Sequence, residues 1–167
     1  RNNVDRQKKQ EEVLKEAMRM GQNIIKDNPH RHSLVLYSKG WHSGVVGIVA
    51  SKISEEFGVP SVIISIDEDG LGKGSLRTKN GINLYNVLKE CESHLIQYGG
   101  HSGAAGITIN SVELSNFDNQ FEDSIKNYDY ESNSAVDSDL EIEFNEIGLS
   151  SIGDLKRMEP FGRENPS

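Results

Sequence analysis

The chain has 167 residues, 35% hydrophobic and 26% charged, with a net charge of −8, which suits one globular domain with appendages. No secretory signal and no long apolar run is present, so neither export nor a membrane span is expected. The one cysteine excludes an internal disulfide and fits a reducing cytoplasm.

Residues 1–28 read as a charged helix in which Val4, Leu14, Met18 and Ile25 recur near helical spacing, a connector to something upstream. SLVLYS (33–38) is a short strand. In SGVVGIVASKISEEFG (43–58), Val45, Val46, Val49, Ile53 and Phe57 share one helical face, with Ser43 as N-cap and Gly58 as the stop. PSVIISI (60–66) is a buried type of strand, followed by the turn DEDG. Strand, helix and strand within so short a span predict a parallel βαβ unit. GKGSLRT (72–78) is a further strand. Asn83 caps the next helix, whose apolar stripe is Leu84, Val87, Leu88, Cys91 and Leu95. The glycine-rich run YGGHSGAAGITI (98–109) leads into a strand at its GITI end, and 111–128 is helical. NYDYESNSAVDSD reads as a polar linker, LEIEF as a strand and SSIGDLKRM as a short helix. The expected fold is a three-layer α/β domain, with a mixed, partly parallel sheet between helices and a leading connector helix. Its divisions are 1–28, 29–130 and 131–167. Arg1 in place of Met, and the ending EPFGRENPS, suggest a piece of a longer protein.

The charge is uneven. Between Ser111 and Ile147 stand eleven acids and one lysine, so the remainder carries about +2. LGKGSLRTKN (71–80) holds Lys73, Arg77 and Lys79 and no acid, a locally basic segment on an acidic chain. Cys91 lies on an apolar stripe and reads as a buried structural thiol. DGLGKGS is not a nucleotide P-loop, because Gly74 stands where Ser or Thr must follow the lysine. Its serine with Arg77 suits a phosphate, which a guanidinium grips in bidentate fashion; the plainer alternative is a strand with a surface arginine. Trp41 and His42 follow a strand and precede a helix, where ligands of open α/β sheets tend to sit. Trp41 either stacks on a base or closes the core. His101 is a phosphate hydrogen-bond donor, a general acid or base, or a loop histidine with a structural bond. A metal role is the weakest, since no HExxH or paired CxxC accompanies it. The flanking Gly99 and Gly100 remove Cβ atoms and let a ligand approach the backbone.

GWHSGVVGIVASKI, GKGSLRT and YGGHSGAAGITI, in this order and spacing, resemble the DHH-associated domain of the RecJ family of single-strand-specific DNA exonucleases. The resemblance covers most of the chain. GGHxxAAG marks the wider DHH phosphoesterase superfamily, and the GWHxGVVGIVAS block points to RecJ within it. VDRQKKQEEVLKEA resembles the helix joining the family's two core domains, and LKRMEPFGRENP the segment before its OB domain.

The resemblance implies a 5′→3′ exonuclease for single-stranded DNA, whose separate DHH domain holds two manganese or magnesium ions that activate water. On this implication His101 donates to the scissile phosphate. Ser75 and Arg77 hold the 5′-terminal phosphate, Gly99 and Gly100 permit close approach, and Trp41, His42 and Lys73 belong to the cleft. The DNA end, the protein's own DHH and OB-type domains, a cytoplasmic location and roles in DNA repair and recombination follow from the same likeness. Ser43 stands where the family often has proline and Thr78 where it often has serine; the DHH motif itself is absent, so no metal cage and no activity are expected of these residues alone. Two other readings compete: a DHH-type oligonucleotide or cyclic-dinucleotide phosphodiesterase, and a non-catalytic interaction module.

Overall fold

A computed structural model describes residues 2–128. The readings of LEIEF, SSIGDLKRM and the 131–167 segment lie outside them. Among the described residues nine elements follow one another: α1 (Asn2–Asp27), β1 (Leu34–Lys39), α2 (Val46–Phe57), β2 (Ser61–Ile66), β3 (Leu71–Arg77), α3 (Leu84–Glu90), β4 (Gln97–His101), β5 (Ala104–Asn110) and α4 (Leu114–Lys126). Short 3-10 turns, Glu92–His94 and Ser111–Glu113, precede β4 and α4. The strands form one sheet in the order β1-β2-β3-β5-β4. β1 and β2 are parallel, joined through α2 as the βαβ spacing predicts, and the other pairs are antiparallel.

The sheet separates two cores. On one face α1 and α2 cover β1 and β2, with Val13, Ala17, Val46, Val49 and Ile53 against Leu34, Leu36 and Ile63. On the other, α3 and α4 lay Leu84, Val87, Leu88, Phe117 and Phe121 over Val62, Ile64, Leu76, Ile107 and Ile109. Alternate residues of β1 and β2 therefore enter different cores, which is why β2 reads as a continuous apolar run. This is the mixed, three-layer α/β arrangement expected, with α1 at its head.

Three local readings need correction. α2 opens at Val45, not Ser43: a turn from the His42 carbonyl to the Val45 amide comes first, and helical bonding starts with Val49 N–H to the Val45 carbonyl. Gly58 does stop the helix, at φ 69°. The helix expected to run on to Leu95 ends at Glu90; Leu95 is extended (ψ 140°), so that the chain can enter the sheet. The glycine run is not a loop leading to one strand. It is two strands, β4 and β5, joined by a tight turn at Ser102–Gly103. Asn83 caps α3 as expected, accepting from the Tyr85 and Asn86 amides.

Candidate nucleic-acid interface

The strand register lines up the candidate residues. Arg77 pairs with Ala104, and Ala104 with His101. One pleat along, Ser75 pairs with Gly106, and Gly106 with Gly99. A third row joins Lys73, Thr108 and Gln97. Side chains two residues apart share a face, and Gly72, Gly74 and Leu76 point into the α3–α4 core, so all three rows lie on the opposite face. There α2 packs over β2 and β3, while among the described residues no helix covers β5 and β4. Gly99, Gly106 and His101 are exposed. Arg77 and His101 thus open onto one surface, their Cα atoms about 10 Å apart across two strand spacings.

Among the described residues, nothing packs on the glycines that floor this surface. A methyl built on Gly99 would meet nothing within 4 Å, and one on Gly106 would meet only the Gly74 carbonyl at 3.8 Å. Gly100 is different. Its φ is 145°, and a methyl there would fall 2.4 Å from the Ala104 carbonyl oxygen, so the hairpin itself requires glycine.

Arg77 reaches along the face towards α2. Its Nη1 donates to the Leu76 carbonyl at 2.7 Å, and a methyl on Gly47 would lie 3.2 Å from Nη2 and 3.5 Å from Ser75 Oγ. Gly47 therefore keeps room for the guanidinium and the hydroxyl together. Arg77 has no carboxylate partner among the described residues. It lines a cavity of about 420 Å³ with Gly44, Gly47, Ser51 and Lys52. Glu55, also at its wall, is engaged by Lys79 at 3.2 Å. The first-turn amides of α2, which have no partners within a helix, lie at this end. A guanidinium, a hydroxyl and a helix N-terminus together favour an anion.

His101 is aimed by the hairpin. The Gly103 amide donates to its Nδ1 at 3.3 Å, so the neutral ring carries its proton on Nε2 and presents it as a donor. The turn is anchored on both sides: Thr78 N–H donates to the Gly103 carbonyl at 3.4 Å and Leu84 N–H to the Ser102 carbonyl at 3.0 Å. His42 repeats the device, with the Gly44 amide donating to its Nδ1 at 3.0 Å. It stands at the other end of the sheet, beyond β1, in a cavity of about 460 Å³ with Ser43, Ser65 and Asp67.

Trp41 does not offer the face expected of a cleft residue. Only 6% exposed, it belongs to the α1–α2 core; its indole N–H donates to Glu16 at 2.8 Å, and its carbonyl accepts from Ser65 Oγ. Cys91 is buried, and burial pushes its thiol up to about 12, which removes it as a nucleophile. Among the described residues no three His, Cys, Asp or Glu side chains converge as a metal site, so these residues do not fit a catalytic metal. No described helix is long and apolar enough to cross a membrane.

Gly47, Gln97 and Thr108 were not singled out from the sequence. Residues 73, 75 and 77 alternate with 72, 74 and 76, as 97, 99 and 101 do with 98 and 100; that alternation becomes informative once 97–101 is read as a strand.

The DHHA1 domain model matches residues 31–127. The chain is 33% identical to the single-stranded-DNA-specific exonuclease RecJ of Bacillus subtilis, over 98% of this chain and 21% of that protein. It is 29% identical to RecJ of Haemophilus influenzae, over 90% of this chain and 28% of that one. It spans between about a fifth and three-tenths of these relatives' length. Among solved structures, RecJ of Thermus thermophilus in complex with Mn2+ matches at TM-score 0.63 and 28% identity, over 76% of this chain and 18% of that one. An exonuclease RecJ bound to manganese matches at 0.64 and 26%, over 80% and 32%. With the model matching more than half of its length, the chain belongs to the DHHA1 domain family.

Proposed function

We propose that this chain is the substrate-binding portion of a RecJ-type 5′→3′ exonuclease for single-stranded DNA, cytoplasmic and serving DNA repair and recombination. The observation that carries the reading is the shared row: Arg77, without a carboxylate partner among the described residues, and His101, with its Nε2 proton presented, on one open, glycine-floored face.

In this reading Ser75 and Arg77 bind the 5′-terminal phosphate, and the face lets the strand approach the backbone at Gly99 and Gly100. His101 donates from Nε2 to a non-bridging oxygen of the scissile phosphate, where charge builds as the bond breaks. The DHH domain, elsewhere in the protein, supplies manganese or magnesium and the attacking water; an OB-type domain follows. His42 and Lys73 belong to the approaches of the cleft, and Trp41 supports it from the core.

Three measurements test this. The chain alone, given manganese and 5′-phosphorylated single-stranded DNA, releases no mononucleotides, whereas the full-length protein does; steady release by the chain contradicts the division of labour. Comparing long strands with a dinucleotide separates the exonuclease from a short-oligonucleotide phosphodiesterase, which prefers the dinucleotide. In the full-length protein His101→Ala lowers turnover by roughly 10²–10³-fold, the size of one lost transition-state donor.

A further inference from the structure

In the role just described, the row furthest from Arg77 and His101 contributes only Lys73, at the approaches of the cleft, and binds no particular phosphate. Lys73 and Gln97 are exposed and Thr108 is half-buried. Lys73 has no carboxylate partner among the described residues, and the Gln97 side-chain amide has no hydrogen-bond partner among them. The three residues line a cavity of about 330 Å³ whose floor is Gly99 and Gly106. In the middle row only Ser75 carries a side chain; Gly99 and Gly106 leave the two outer rows joined across an open trough. Four residues of strand separate the outer rows, about 13 Å at ~3.3 Å per residue. Stacked nucleotides rise ~3.4 Å per phosphate and a stretched strand roughly twice that, so the trough spans at least two phosphate steps.

The composition also argues against an apolar protein partner. None of the exposed large hydrophobic residues (Val4, Tyr37, Ile48, Tyr85, Ile96 and Val112) belongs to the three rows. What this end of the trough offers is one ammonium, one side-chain amide and one hydroxyl beside the glycines.

We propose that Lys73, Gln97 and Thr108 form a second phosphate subsite, which holds an internucleotide phosphate of the same strand whose end lies at Arg77. This rests on the reading of the face as a single-strand track, and adds to it a position beyond the reacting end. Lys73 supplies the charge, the Thr108 hydroxyl and Gln97 amide donate to the phosphate oxygens, and Gly99 and Gly106 let the intervening nucleotide lie flat on the strands. Removing one such cationic contact lowers affinity and takes about one unit from the salt dependence.

The test is a titration of the isotopically labelled 167-residue chain with 5′-phosphorylated dT2 and dT6, followed by amide NMR. dT2 shifts Arg77, His101 and their neighbours; dT6 shifts these and also Lys73, Gln97 and Thr108. Lys73→Gln weakens dT6 binding by about three- to tenfold and lowers its salt slope by about one, while Lys89→Gln, on α3 across the sheet, changes neither. If dT6 shifts the Arg77–His101 row without the Lys73 row, or Lys73→Gln leaves affinity and slope intact, the second subsite is wrong and the track reading stands. If neither oligonucleotide shifts any of the three rows, both readings fall.

Discussion

A methyl built on Gly72 would lie 2.8 Å from Ile64 Cγ2, and one on Gly74 2.8 Å from Ile107 Cγ1, so packing forbids side chains at both. Gly99 faces the other way, into open space, and its φ is not in the left-handed region. Glycine inside a strand weakens it, by roughly 0.5–1 kcal/mol relative to alanine. The fold would therefore accept alanine at 99; the trough would not, since a methyl raises its floor. Gly99→Ala should leave the denaturation midpoint of the chain unchanged or raise it slightly, while lowering affinity for single-stranded DNA about tenfold, ~1.4 kcal/mol. Unaltered binding would remove the glycine floor from the site. Much at this scale was legible in the sequence: His101, Ser75, Arg77 and the glycines beside them stand out by residue type. What residue type does not reveal is which glycines serve the core and which the surface, because that depends on which strand lies opposite. Trp41 illustrates the same point, since its burial depends on α1 passing over it and on Glu16 meeting its N–H.

The elements follow from patterning where one stretch of chain decides its own conformation. α2 shows its apolar face and its Gly58 stop, and α3 its Asn83 cap. β4 was missed because QYGGH carries little hydrophobic signal: only Tyr98 packs against the core, and the strand exists through its pairing with β5. The contacts that hold α4 to the start of β1 are likewise invisible without the fold. Arg31 binds Asp118, and its Nε lies 3.3 Å from Glu122, which also accepts from the His32 amide at 2.7 Å and from Ser33 Oγ. Burial pushes the Glu122 carboxyl up, but the bonds from Ser33 and His32, with the Arg31 charge, outweigh it and leave it below its usual range. Asp118 goes the other way, raised by burial despite Arg31. A lowered carboxyl contributes stability that is full above its unfolded pKa of about 4.3 and is lost as pH falls through its folded value. The raised Asp118 contributes in reverse, fully below about 3.9, and loses it as pH rises through its folded pKa. Glu122→Gln should cost about 2 kcal/mol at pH 7, from charge-assisted bonds weakened or lost. Measured by urea denaturation against pH, the gap to the unmodified chain should narrow below about pH 4. A gap constant down to pH 2 would mean that the carboxylate charge plays no part.

At the scale of the whole molecule, net charge misleads. The chain is at −8, yet the acids concentrate between 111 and 147, while the rows on the open face contribute Lys73, Arg77 and His101 and no carboxylate. Local charge, more than the total, governs phosphate binding. Among the described residues no helix covers β4 and β5 on this side; in the proposed reading, that polar, glycine-floored surface is where the strand of nucleic acid lies. The central claim is that Arg77 marks where the strand's 5′ end is held. Its most direct test is the ratio of kcat/KM for 5′-phosphorylated over 5′-hydroxyl single-stranded DNA, measured in the full-length protein with and without Arg77→Ala. The account predicts a preference for the phosphorylated end that collapses towards one in the variant, with the chain still folded; a ratio that Arg77→Ala leaves unchanged would contradict it.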